Sequence, residues 1–188
     1  MRRHRIALTV LCIPVLSLPS AAFAITWDDG SRTHEYELVE YANISWPNAA
    51  AWIETNLGPD WYLATITSAA EQAFITQQVF AGRVGEYWIG GYQDPPQSAP
   101  AANWYWVTGE PWSYTNWWTA SEPNDNYGPG SESYLGANFE GCCWNDEGIL
   151  DPIVGFVAER TTVSEPGTLI VLGLGLAGLG LSRRRRES

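Results

Sequence analysis

From Pro111 to Gly141 the chain shows almost no helix or strand periodicity beyond Tyr134-Leu135. Loops of this length inside a compact domain are uncommon, and ordered ones are usually functional. The polar residues here are grouped. Glu122-Pro123-Asn124-Asp125 comes first, a Gly/Pro/Ser-rich run leads to Glu132, and Trp144-Asn145-Asp146 closes the stretch. Hard cations such as calcium take six to eight oxygens from carboxylates, amide carbonyls and backbone carbonyls. Glu122, Asn124, Glu132, Asn145 and Asp146 offer five side-chain ligands from three short segments. Taken alone, Glu-Pro-Asn-Asp also suits a plain surface turn. The fold must therefore hold three separate segments of a long loop against one point.

The rest of the chain supplies apolar material for that. With 188 residues, 11 Trp, 9 Tyr and 5 Phe, it has room for one domain with an aromatic-rich core. Its formal charge is −11. Outside the terminal arginines only Arg32, Arg83 and Arg160 are basic, and Lys is absent. Such an acidic surface excludes nucleic acid and anionic membranes as natural partners.

Both ends carry targeting features. Met1 to Ala24 has Arg2, Arg3 and Arg5, an apolar run from Ile6 to Leu18, and Ala22-Phe23-Ala24 as a small-x-small cleavage site. This is the pattern of a secretory signal peptide; the apolar run is too short, and too interrupted by Pro14, for a membrane anchor. At the other end, Ser164-Glu165-Pro166-Gly167 precedes an apolar run from Thr168 to Leu181 and then Arg183 to Arg186. The apolar run spans only about 21 Å as a helix, against a hydrocarbon core of about 30 Å. Residues 161–188 resemble a PEP-CTERM sorting signal, with Ser164 where a Pro is usual. The resemblance implies transient membrane anchoring through 168–181, processing by an exosortase, and release to the envelope or extracellular matrix of a Gram-negative bacterium. A simple C-terminal anchor is the alternative.

Residues 25–35 are expected as an N-terminal segment and 36–160 as the domain. Tyr36 to Tyr41 alternates at strand spacing. Trp46 to Leu57 has helical spacing, with Ser45 as N-cap, Pro47 in the first turn and Gly58-Pro59 as stop. Tyr62 to Ile66 is a short strand. Ser68 to Phe80 is a second helix opened by a Ser68/Glu71 capping box, with Phe74, Ile75 and Val79 inward. Trp88 to Gly91, Trp104 to Val107 and Ile153 to Ala158 are further strands. Asp94 to Pro100 is a Pro-rich turn.

In order, these segments resemble the C-type lectin domain from about Tyr36 to Arg160. Trp46 with Ala49, Leu63-Ala64-Thr65-Ile66 before Glu71, Trp88-Ile89-Gly90, Trp104-Tyr105-Trp106 with Thr108-Gly109-Glu110-Pro111, Glu-Pro-Asn, Trp-Asn-Asp and Gly155-Phe156-Val157-Ala158-Glu159 carry the likeness. It implies an α+β fold, with two helices flanking small antiparallel sheets and a long ligand-binding loop. The family's two usual disulfides are missing: Ile53 and Ala158 stand at one pair of positions, Tyr134 and Ile149 at the other. Packing is expected to replace both. Cys142 and Cys143 are neighbours; a vicinal disulfide and intermolecular pairing both remain open.

The resemblance further implies that Glu122, Asn124, Glu132, Asn145 and Asp146 hold one Ca²⁺, and that Pro123 follows a cis peptide. Glu122, Asn124, Glu132 and Asn145 then bind two vicinal sugar hydroxyls, the acids accepting and the amides donating. Glu-Pro-Asn goes with mannose, glucose, N-acetylglucosamine and fucose. Trp118 or Tyr127 is expected on a sugar face, with one of Trp117 and Trp118 packed beneath the loop, and Asp125 is a candidate for an auxiliary calcium. Glu132 lies about two residues further from Glu122 than is usual, so Asn126 to Gly130 must absorb the difference. The expected function is calcium-dependent carbohydrate binding at the cell surface or in an exopolysaccharide matrix. The alternative is a structural or adhesive protein whose calcium only orders the loop and whose partner is protein. Enzymatic activity is not expected: His4 and His34 lie far from the loop, and no Ser nucleophile motif is present.

Overall fold

The computed structural model describes residues 24–94, 96 and 99–163. The expected signal peptide except Ala24, the expected sorting segment beyond Val163, and Pro95, Gln97 and Ser98 of the expected Pro-rich turn lie outside them. The strands are β1 (Ile25–Asp28), β2 (Arg32–Glu40), β3 (Tyr62–Leu63), β4 (Tyr87–Gln93), β5 (Trp104–Trp106), β6 (Tyr134–Phe139), β7 (Cys143–Glu147) and β8 (Gly155–Val163). They form one sheet in the order β1-β2-β8-β4-β6-β7, with β3 on β8 and β5 on β4. All pairs are antiparallel except β4 with β8.

The sheet is buried on both faces at its centre, as the unbroken apolar run of β4 requires. Tyr87 and Ile89 face one core cluster with Leu135, Trp144 and Val157; Trp88 faces a second with Ile53, Phe156 and Ala158. Helix α1 (Trp46–Asn56) covers the second cluster through Ala49 and Ile53. It is pinned by the Trp46 indole donating to the Ile89 carbonyl at 2.8 Å, while Trp88 donates to the Ile44 carbonyl at 2.7 Å. Gly90 allows β3 to pass close to β4: a Cβ there would fall on the Leu63 carbonyl oxygen.

Several expectations shift. The sheet takes in Ile25 to Glu35, so the segment expected ahead of the domain is its first hairpin, and the last strand runs on to Val163. The strand expected over Tyr62–Ile66 is only Tyr62–Leu63, because Ala64 onward turns toward the second helix. Ser45 stands at the N-cap of α1 without a side-chain bond. The second helix begins as α2 (Ala69–Phe74) and continues as a π-helical turn over Ile75–Phe80. Ser68 accepts from the Glu71 N–H at 3.2 Å. The return half of the box is redirected: Glu71 accepts from the Thr67 N–H at 2.8 Å and from the Tyr36 hydroxyl at 2.7 Å. Ile53 and Ala158 are both buried in one cluster. Tyr134 stacks on Trp46 at 5.1 Å, but Ile149 is 46% exposed, so packing replaces only one of the two absent bridges. Cys142 and Cys143 are joined to each other.

Glu71 belongs to a buried polar group between β2, α2 and β8. His34 Nδ1 lies 2.7 Å from Glu159 and 3.9 Å from Glu71, and its Nε2 lies 3.4 Å from Asp29. The other Glu159 oxygen accepts from the Thr65 N–H at 2.8 Å. Burial opposes charge on His34, but the hydrogen bond and charge of Glu159, with Glu71 and Asp29, outweigh it and raise its pKa. Every carboxylate oxygen of Glu71 and Glu159 has a donor.

Candidate functional site: a carboxylate cleft at the β6–β7 edge

The loop rests on aromatic rings. Trp112 packs on Trp106 at 4.6 Å and Trp104 at 5.6 Å, and Trp117 and Tyr114 meet Trp144 edge-on at 6.0 and 5.6 Å. Trp144 also ties the loop to β7 through its backbone: its N–H donates to the Asn116 carbonyl at 2.8 Å, and its carbonyl accepts from Trp118 at 2.9 Å. Of the pair Trp117 and Trp118, Trp117 is the packed member. Trp118 is 45% exposed and sits edge-on to Phe139 at 5.0 Å.

Alternation along β7 then divides the work. Asn145, opposite Gly136, lines a cleft of about 310 Å³. Asp146, opposite Leu135, is buried and grips the first loop segment. Its carboxylate accepts from the Asn124 N–H at 2.9 and 3.0 Å and from the Asp125 N–H at 2.8 Å. The Glu122–Pro123 peptide is cis.

The extra residues before Glu132 are closed off by Asp125. Its φ is +51°, a left-handed conformation that Asp tolerates better than most residues. Its side chain is buried, accepting from Gly130 N–H at 2.9 Å and from Glu132 N–H at 3.1 Å. Turns from Asp125 to Gly128 and from Gly128 to Ser131 complete the excursion. Glu132 is thereby returned to the cleft, where it accepts from the Asn126 N–H at 2.5 Å. Asp125 itself does not line the cleft, and both its oxygens are used within the loop.

Glu122, Asn124, Glu132 and Asn145 share the cleft with Asn126, Tyr127, Phe139, Glu147, Asp151 and Pro152. No basic side chain is among these residues. Tyr127 is 73% exposed at the rim; Trp118 lies just outside, behind Phe139. The acids crowd one another. Burial, then the neighbouring Asp146 carboxyl, raises the pKa of Glu122, and one Glu122 oxygen is buried with no hydrogen-bond partner. Burial lifts Glu132 to about 7 against the Asn126 N–H, helped by Asp146, Asp151 and Asp125.

Three acids that sequence reasoning missed extend the group. Glu147 is buried at the end of β7 and accepts from the Asn145 side-chain amide at 2.6 Å. Asp151 accepts from the Gly148 N–H at 2.6 Å. Glu86 enters from the start of β4, and one of its oxygens is buried without a partner. Burial, then Asp151 and other acids, lifts Glu86 to about 7; burial, then Glu86 and Asp151, lifts Glu147 to about 10. The signal available was Glu147 directly following Trp-Asn-Asp. Glu86 had none, lying far away in sequence, just ahead of a different strand.

A two-helix domain with β4 and β8 parallel at its centre, and a long loop held over one edge by a Trp-Asn-Asp strand, has close counterparts among solved structures. The carbohydrate-recognition domain of cow CD23, determined in the presence of a GlcNAc2Man3 oligosaccharide, superposes with a TM-score of 0.55 at 26% identity, covering 70% of this chain and 90% of that one. The domain has the C-type lectin-like fold.

Other structures of this fold widen the comparison. The mouse scavenger receptor C-type lectin carbohydrate-recognition domain matches at 27% identity and a TM-score of 0.53, covering 70% and 92% of the two chains. A calcium-independent type II antifreeze protein also matches, at 23% identity and 0.52 over 74% and 92%. The C-type lectin-like fold alone therefore does not decide calcium dependence. No curated protein matches the chain in sequence. Residues 162–186 match the PEP-CTERM protein-sorting motif, which follows the lectin-like domain directly and points to export and envelope association. Among the described residues no helix is long and apolar enough to cross a membrane.

Proposed function

We propose that the protein is an exported, calcium-dependent carbohydrate-binding protein and not an enzyme. One observation carries the reading. Three loop segments bring Glu122, Asn124, Glu132 and Asn145 to one cleft, beside Asp146 whose carboxylate holds the Asn124 and Asp125 N–H groups, with several acids, an orphaned carboxylate oxygen and no basic group lining the cleft. An all-oxygen donor set of this kind fits a hard divalent cation. These five residues would hold calcium, which when bound offers open coordination positions to a pair of vicinal hydroxyls. The chain's own groups select the diol. Glu122 and Glu132 accept hydroxyl protons, and the Asn124 and Asn145 amides donate to hydroxyl oxygens. The Glu-Pro-Asn order favours mannose-, glucose- and N-acetylglucosamine-type diols. Tyr127, open at the rim, supplies an apolar face for a sugar ring, and Trp118 lies further along the same rim. The natural ligand is then an envelope or matrix polysaccharide, met after removal of the signal peptide and exosortase processing of the tail in a Gram-negative envelope.

A glycan array probed with and without calcium tests this. Calcium-dependent retention of mannose-type glycans is expected. A calcium-shifted melting temperature with no glycan retained would instead favour a structural or adhesive role. That second reading draws on the apolar side chains beside the cleft: Ile149 is 46% and Leu150 92% exposed.

A further inference from the structure

We infer that Glu147 is a positioning residue that fixes the side-chain amide of Asn145, so that the Asn145 carbonyl oxygen is kept for the ligand in the cleft. This rests on the cation-binding reading above. An asparagine amide carries an acceptor on one side and a donor on the other, and a half-turn exchanges them. A cation accepts only the carbonyl side. Asn145 sits on the cleft side of β7, where nothing in the Trp-Asn-Asp sequence dictates which way its amide turns. The structure supplies the missing constraint two residues on. Asn145 Nδ2 donates to Glu147 Oε1 at 2.6 Å, a short contact, and Glu147 is buried, so water competes little for it. The reversed amide would set two oxygens against each other.

The place of Glu147 is itself prepared. Asn145 and Glu147 leave β7 on the same face, two residues apart. Opposite Asn145 on β6 stands Gly136, where a Cβ would lie 3.1 Å from both the Glu147 Cγ and a Glu86 oxygen. A side chain at 136 would have to displace Glu147 or Glu86 by a few tenths of an ångström. Glu86, just ahead of β4, and Asp151, in the turn after β7, are acidic neighbours of Glu147. Partners of metal ligands that set their orientation typically change metal affinity by about 10–100-fold when removed.

The test separates this role from general stability. Glu147→Gln keeps an acceptor oxygen for Asn145; Glu147→Met keeps the volume and removes it. Terbium luminescence, with calcium as competitor, is expected to give wild-type affinity within about threefold for Glu147→Gln and a loss of about tenfold or more for Glu147→Met. In an Asn145→Asp background, where both side-chain oxygens are alike, Glu147→Met is expected to cost nothing further. In metal-free protein, the Asn145 side-chain NH₂ protons should give two well-separated, slowly exchanging NMR signals in wild type and Glu147→Gln, collapsing in Glu147→Met. Equal terbium affinity in Glu147→Met and wild type overturns the inference, as does an unchanged amide signal in Glu147→Met. Absence of terbium and calcium binding to wild type sinks the cation reading instead, and the NMR arm still decides the Glu147–Asn145 link.

Discussion

The domain buries two groups of carboxylates, and they are balanced differently. Around β2, α2 and β8, Glu71 and Glu159 meet His34, two tyrosine hydroxyls, threonines and backbone N–H groups. At the β6–β7 edge, Glu122, Glu132, Asp146, Glu147, Glu86 and Asp151 meet one another, a few N–H groups and amides, and no basic side chain. Buried charge is costly unless paired. The first group carries its own cation and holds three elements together. The second has no basic partner, and burial raises several of its acids toward the neutral form. The same residue types thus form a closed clasp in one place and, on the reading proposed above, a receptor in the other, and the difference lies in one histidine.

This contrast can be broken from either side. The largest effect is expected from His34→Leu, which strands Glu159 and Glu71: urea unfolding should show a loss of about 3–5 kcal/mol. A cost below about 1 kcal/mol would mean that the hydroxyls and N–H groups alone balance the clasp. Next, calcium at a hundredfold its Kd should stabilise wild type by about 2.7 kcal/mol. Glu132→Gln should reduce that gain sharply while leaving metal-free stability unchanged or improved, since a crowded charge is removed.

Asp125→Ala should lower stability by about 1–3 kcal/mol, by freeing the Gly130 and Glu132 N–H groups, and should weaken calcium binding although Asp125 does not line the cleft. The pH dependence sharpens the clasp. His34 has a folded pKa above its ordinary 6.5, so its stabilisation is complete below 6.5 and lost as pH rises through the folded value. Each tenfold gain in the proton affinity of the folded imidazole is worth about 1.4 kcal/mol. Glu71, raised by burial and then by Glu159, acts in the same direction; Asp29, held low by backbone N–H groups, is ionised throughout. Metal-free wild type should therefore lose stability as pH rises above 6.5, with Glu132 and Glu86, lifted to about 7, contributing in the same direction, and His34→Asn should reduce that slope. The smallest stability effect is expected for Tyr127→Ala, within about 0.5 kcal/mol, with reduced glycan retention as its visible consequence.

The central strands were legible because burial on both faces leaves an unbroken apolar run, as in Tyr87-Trp88-Ile89. Strand β7 was not, for the opposite reason. Asn145, Asp146 and Glu147 are poor strand formers, and they stand in a strand because β6 pairs with them from Tyr134 to Gly136. The π-helical turn at Ile75–Phe80 keeps the apolar spacing of an ordinary helix and leaves no mark in the sequence. The residue types of Glu-Pro-Asn and Trp-Asn-Asp were readable, but the delivery of Glu132 was not. Two backbone hydrogen bonds to Asp125 accomplish it, and a turn-forming Asp reads the same whether it faces solvent or folds inward. Ile149 was expected to pack because it stands at the position of an absent disulfide, whereas here it is half exposed.

The strand order has a consequence for how such a molecule is displayed. The sorting motif begins at residue 162, within β8, while the cleft is built on β6 and β7. β8 and β7 are separated by three strand spacings, about 14 Å. A tether drawn from β8 would leave the β7 margin clear, so on the reading proposed above holding the protein and loading its cleft would make no claim on the same surface.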